Sequence, residues 1–282
     1  MKPALVDTHQ HLWDPGRFSY AWLADFPQLK QRSMLEEYRA AARDSHVVRT
    51  VYVDTDVDET DLAAETAAIF ALAARSGGFV AGIVPGAKLE KKECWDHLRP
   101  FFGHPLLKGV RRVLHTMPDE LSQQPQFLEN VRALPNHGLS FDICMLARQL
   151  PLALALVRQC PKVFFILDHC GVPDVKAQAL DPWRANLREL SREPNVVCKI
   201  SGLVAYAEPQ NWTTDHLRPF FDHAIDCFGW DRVIWGSDWP VCTLTASFAR
   251  WATTAQELAA GATADERDRF FRRNAERVYR LV

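Results

Sequence analysis

The sequence predicts an α/β fold, a single (β/α)8 TIM barrel, and three observations carry that expectation. Eight short apolar segments alternate with helical patterns at spacings of about thirty residues. The segments are continuous apolar runs rather than strict alternations, as parallel strands covered on both faces should be. Several of them end on a polar residue at the carboxyl end, where barrels of this class build their sites. At 282 residues the chain suits one such barrel, and no linker or low-complexity stretch divides it, so one domain is expected over 1–282. An open doubly wound sheet is the competing fold. It would place a Gly-rich phosphate turn after the first strand, where His9-Gln10-His11 stands instead.

The first strand is expected at 4–8, followed by a long loop to about residue 32. That loop holds Trp13, Phe18, Tyr20, Trp22 and Phe26 among the breakers Pro15, Gly16 and Pro27, and reads either as a pocket wall or lid or as a self-packed surface loop. Ser33 and Glu36 make a capping box for a helix at 34–44. Strands follow at 48–54, 79–85 and 107–114, with helices at 60–75 and 91–101 between them and another at 126–133. Strands at 139–145, 163–168, 196–201 and 232–238 alternate with helices at 149–159, 183–192 and 215–228. Asp181 and Pro182 are expected to cap the helix at 183, and Gly229 to stop the one at 215–228. Helices at 247–260 and 265–281, the latter behind Thr263 and Glu266, close the chain.

Composition narrows the function classes. A formal net charge of −2 gives no basic excess to neutralise phosphates, which argues against a nucleic-acid partner. The seven cysteines are scattered with no Cys-x-x-Cys pair, which argues against a disulfide framework or zinc knuckle and for a reducing, cytoplasmic setting. No signal-peptide pattern opens the sequence and no run of eighteen apolar residues suggests a membrane span, so a small-molecule substrate is the expected partner.

The candidate chemistry lies at strand ends. His9 and His11 are two residues apart on extended chain, so both imidazoles point one way. Such a pair suits a metal, a hydrogen bond or general base work, though it also arises by chance on surfaces. Arg111 and Arg112 lie on strand four with His115 just beyond, Asp142 lies on strand five, and Asp168 and His169 end strand six. Lys199 and Ser201 belong to strand seven and Asp238 to strand eight, which in a closed barrel lies beside strand one. Asp238 therefore reads as a metal ligand or a base towards water, or else as the partner of a rim arginine. His169 reads as a rim group or a core histidine. Lys199, inside an apolar run, needs Asp142 or Asp168 as partner, or contacts substrate. No Gly-x-Ser-x-Gly elbow, phosphate loop or nucleophilic cysteine signature is present, which leaves water as the nucleophile.

Together the segments 6–15, 167–171, 196–203 and 234–241, with Gly109-Val110-Arg111 and the closing 274–279, resemble the amidohydrolase superfamily, and within it the sugar-lactone hydrolase branch. The resemblance spans essentially the whole chain. It implies a barrel hydrolase that opens the lactone of a sugar acid, with catalytic positions at His9, His11, His169 and Asp238. The same four residues would be the ligands of one divalent ion, zinc foremost, and some relatives in the branch work without metal. The superfamily's strand-five ligand has only Asp142, Cys144 or Met145 to fill it here, which speaks against a two-metal centre. In the expected mechanism Asp238 takes a proton from water while the three histidines, directly or through the ion, polarise the carbonyl. Arg111, His115 and Lys199 are expected to contact substrate, and Trp13, Trp22 and Trp239 to wall the pocket. A metal-dependent decarboxylase of the same superfamily and a non-catalytic ligand-binding barrel are the alternatives.

Overall fold

The computed structural model describes residues 3–281. Eight parallel strands form the barrel: β1 (Leu5–Gln10), β2 (Val47–Val53), β3 (Val80–Val84), β4 (Gly109–Val113), β5 (Ser140–Cys144), β6 (Phe165–Leu167), β7 (Val196–Ile200) and β8 (Val233–Trp235). Ladders join β1 to β3 and β4 to β8. Two seams complete the circle. Parallel bridges Ile83–Leu107 and Gly86–Arg111 link β3 to β4. Between last and first strands, Asp238 N donates to His9 O at 2.8 Å, His11 N to Trp239 O at 2.9 Å, and Thr8 Oγ1 to Trp235 O at 2.6 Å.

The helices are α1 (Leu35–Ala42), α2 (Leu62–Ala74), α3 (Pro125–Ala133), α4 (Leu150–Gln159), α5 (Trp183–Ser191), α6 (Thr214–Phe228), α7 (Phe248–Leu258), α8 (Ala264–Asp268) and α9 (Asn274–Val278). They bury their apolar faces on the outside of the barrel, where Phe127, Leu156, Leu187, Phe220 and Trp251 meet outward strand residues such as Phe141, Phe165 and Trp235. A second, inner cluster of Val6, Val51, Val53, Ile166, Val197 and Ile234 fills the barrel. Val278, Tyr279 and Leu281 join that inner cluster, and Lys108 Nζ, just before β4, donates to Arg280 O at 2.9 Å. The chain's end therefore plugs the amino-terminal mouth of the barrel, which leaves the opposite mouth for a site. No helix among the described residues is long and apolar enough to cross a membrane.

Four local expectations change. The helix expected at 91–101 is replaced by successive turns and a short 3-10 segment, Arg99–Phe101. Asn130 Nδ2 takes the carbonyls of Leu89 and Lys91, at 2.8 and 2.9 Å, that helical amides would need, and Pro100 lacks a donor. The capping box of α1 is shifted by one residue: Ser33 is held in a bridge to Trp13, and Glu37 Oε2 accepts from Met34 N at 2.9 Å. Asp181 does not cap α5, whose N-cap position is Pro182, without a side-chain bond. The closing helix is broken into α8 and α9 by a π turn, Arg269–Arg273, that lets neighbouring Phe270 and Phe271 both reach the core. The box before it forms as expected, with Thr263 N donating to Glu266 Oε2 at 2.7 Å and Glu266 N to Thr263 Oγ1 at 3.2 Å.

Candidate active site

β1 runs two residues further than its pattern predicts, so His9 sits within the strand and His11 just past its end. Both face the carboxyl-terminal mouth. Their rings lie edge to face with centroids 4.8 Å apart, and His9 is 4.5 Å from the ring of His169. His11 Nδ1 lies 2.9 Å from Val53 O. A carbonyl only accepts, so Nδ1 carries the proton and Nε2 keeps its lone pair. That bare nitrogen is 3.3 Å from Asp238 Oδ1, and His9 Nε2 is 3.7 Å from the same oxygen. A lone pair facing a carboxylate oxygen at that distance requires a proton or a cation between them.

His169 and Asp238 reach the cavity by unusual backbone. Both lie at left-handed φ, 54° and 59°, as do Cys170 and Val172. Non-glycine residues adopt that region at a cost, and such costs gather at functional sites. Gly202, at φ +66°, makes room: a Cβ there would lie 2.5 Å from His169 Nδ1. Ser201 Oγ, 2.9 Å from the same nitrogen, fixes the ring. Gly236 similarly clears the Cβ of His9.

Beneath the histidines is a buried charge network. Lys199 Nζ lies 2.8 Å from both Asp142 Oδ2 and Asp168 Oδ1, so its partner is both aspartates rather than one. Tyr279 OH donates to Asp142 Oδ2 at 2.7 Å. Arg111 stands between Asp54 and Asp168, its Nη1 3.4 Å from Asp168 Oδ2. Burial, then the nearby Lys199 charge, push His9 well below the usual imidazole range, and burial lowers His169 too. Both rings are therefore neutral near pH 7. Lys199 and nearby His9 hold the Asp168 carboxyl well below its ordinary value, against the pull of burial.

Above lies a cavity of about 400 Å³. Of the residues the sequence singled out, His11, His169, Asp238, Arg111, His115, Trp13 and Trp22 line it. His9 does not; it lies below, fully buried. Lys199 and Trp239 are not brought to the wall either: the lysine is wholly enclosed by its aspartates, and Trp239 turns to pack edge-on against Tyr38. The aromatic loop is both wall and self-packed unit. Trp22 stacks edge-on against Trp13 and donates through Nε1 to Thr55 O at 2.8 Å, while Trp13, Tyr20, Leu23 and Leu29 form their own cluster.

Among the described residues, two groups have donor atoms close enough to hold a metal: His9, His11 and Asp238, and separately His9, Asp168 and His169. The four expected ligands thus do not converge on one point. Asp168 is already engaged by Lys199 and Arg111, so the first group is the better fit to a divalent ion: two imidazoles, one carboxylate, and a lone pair at His11 that lacks a donor. On strand five, Asp142 is committed to Lys199 and Tyr279, while Cys144 lines the cavity with its Sγ 3.1 Å from His115 Nδ1.

Residues 6–281 match the amidohydrolase family. The chain belongs to the amidohydrolase family. Among similar proteins, the L-fucono-1,5-lactonase of Burkholderia multivorans is 30% identical over 98% of this chain and 96% of its own length. That of Burkholderia ambifaria is 29% identical over 98% and 95%. A crystal structure of an amidohydrolase from Burkholderia multivorans with bound zinc superposes with a TM-score of 0.90, at 29% identity, over 99% of this chain and all of that one.

Three residues of this amidohydrolase site escaped the sequence reading. Asp54, which anchors Arg111, ends strand two on a polar residue, the same signal that marked the other strands. Asp56 and Tyr206 line the cavity from loops, where no periodicity points to them.

Proposed function

We propose that the protein hydrolyses the lactone ring of a sugar acid, with Asp238 as the base. One observation carries the assignment. Asp238 is a buried carboxylate at the wall of the cavity, and among the described residues its ion-pair partners are His9 and His11, with no arginine or lysine to neutralise it. Such a group is free to accept a proton. The likeness to two lactonases supports the substrate class, as does a compact cavity with Trp22 and Tyr206 for a sugar face and Thr55, Asp56 and His115 for hydroxyls.

Asp238 draws a proton from water as the water oxygen bonds to the lactone carbonyl carbon. The ring C–O bond then breaks, and the departing alkoxide takes the proton back from Asp238, leaving a hydroxy acid. The Ser201 hydroxyl, 2.9 Å from Nδ1, can donate to it, which would leave neutral His169 with its proton on Nε2, the tautomer that can stabilise the oxyanion. The Arg111 guanidinium adds fixed positive charge at the cavity floor. His9, His11 and Asp238 would hold a divalent ion, which when bound supplies Lewis-acid polarisation of the carbonyl.

A pH-indicator screen of sugar lactones, with and without chelator, should show acid release for at least one. Asp238→Asn should then cut kcat about a hundredfold or more while the protein stays folded. Near-normal turnover in folded Asp238→Asn refutes the assignment.

A further inference from the structure

A cation already stands at Nε2 of His9. Arg111 Nη1 lies 3.2 Å from His9 Nε2. The other ring nitrogen, Nδ1, lies 3.2 Å from Lys199 Nζ and 3.4 Å from Asp168 Oδ1 within the buried charge network, so Nε2 is the nitrogen the ring turns towards Asp238. A metal bound by His9 from the side of His11 and Asp238 needs the electron pair of Nε2. A guanidinium has no lone pair to share and keeps its charge throughout the pH range of a folded protein.

Arg111 is not loosely placed. Its Nη2 donates to the Asp54 carbonyl, its Nε lies 3.6 Å from Asp54 Oδ2, and its Nη1 lies 3.4 Å from Asp168 Oδ2. Both Arg111 and Asp54 are buried, and Asp56 N in turn holds Asp54 Oδ1 at 3.0 Å. Withdrawing the guanidinium means breaking a buried set of charge-assisted contacts, whereas leaving it in place puts two cations against one nitrogen.

We propose that Arg111 and a divalent cation compete for His9 Nε2, so that the guanidinium is the resident cation of the site and sets its metal affinity. The competition is a property of the side chains and holds whichever substrate the cavity takes; a failed lactone screen would leave it standing.

The test is a titration of chelator-treated protein with Co2+, followed by visible absorption and calorimetry. Arg111→Leu should bind Co2+ on the order of tenfold or more tightly than wild type, a gain of the size that changes beside metal ligands produce as losses when the neighbour supports the metal. The double variant Arg111→Leu with His9→Asn separates competition at His9 from a general loss of positive charge: the gain should vanish with the imidazole. If Arg111→Leu does not fold, Asp54→Asn, which loosens the anchor, takes its place and should give a smaller gain that again requires His9. Unchanged affinity in the folded variant, or a gain that survives His9→Asn, overturns the proposal.

Discussion

Lys199 and Asp168 form an ion pair at 2.8 Å with neither side chain exposed to solvent, and Asp168 reaches on from there to His9 and Arg111. A buried lysine and its two aspartates make the floor on which the histidines stand. The arrangement is costly to assemble and costlier to break, because each charge left without its partner stays out of water. Lys199→Met should destabilise the fold by about 3–5 kcal/mol, measured by urea unfolding. Asp142→Asn, which leaves Lys199 paired to Asp168, should cost clearly less.

Glu65 gives the stability a pH dependence of its own. It lies under the aromatic loop, where Tyr20, Tyr52 and Thr55 donate to its carboxylate at 2.8, 3.1 and 2.7 Å. Burial dominates over those bonds and lifts its pKa from 4.5 to about 7. The native protein therefore keeps a proton through that window that the unfolded chain releases. This contribution is fully present below pH 4.5 and fades as pH rises towards about 7, by about 3 kcal/mol at 1.36 kcal/mol per unit. Glu65→Gln should flatten the stability profile between those limits in denaturant titrations at several pH values. An unchanged slope would show that Glu65 is ionised throughout.

The existence of all eight strands was legible because a parallel barrel strand, covered on both faces, is a run of apolar residues that no surface segment imitates. Its carboxyl end was less so. β6 stops at Leu167 and β8 at Trp235, short of the expected Asp168 and Asp238, because the chain turns into left-handed backbone at His169 and Asp238. That turn aims both side chains into the cavity, and nothing in hydrophobic patterning encodes it. The expected helix at 91–101 failed for a related reason: the decisive partner, Asn130, lies on α3, far away in sequence. His9, His11, His169 and Asp238 were singled out from residue type and strand position, and the structure brings their side chains together. That Lys199 would sit beneath the site rather than in it depends on Asp142 and Asp168 both pointing inward, which only the closed barrel reveals.

Gly202→Ala tests how closely His169 is positioned. The added methyl would stand 2.5 Å from His169 Nδ1 at a φ of +66°, so the ring must move and the backbone is strained as well. A stability loss of about 1–2 kcal/mol should accompany a fall in kcat larger than any rise in KM, since the donor to the oxyanion is displaced while the cavity remains. Equal kcat in the folded variant would show that the ring has slack.

Trp22→Ala separates the two roles of the aromatic loop. Trp22 is wedged between Trp13 and Phe26, with centroids 5.3 and 6.0 Å away, and its Nε1 is tied to Thr55 O. As a wall, its ring contacts the substrate equally before and during reaction, so its loss should raise KM about tenfold with kcat nearly constant. As packing alone, its loss should lower Tm and leave both constants unchanged in the folded protein. The cavity geometry favours the first outcome, because Trp22 and Phe26 line the cavity together with Asp238 and His169. Steady-state kinetics on the preferred lactone, with a thermal melt of the same sample, distinguishes them.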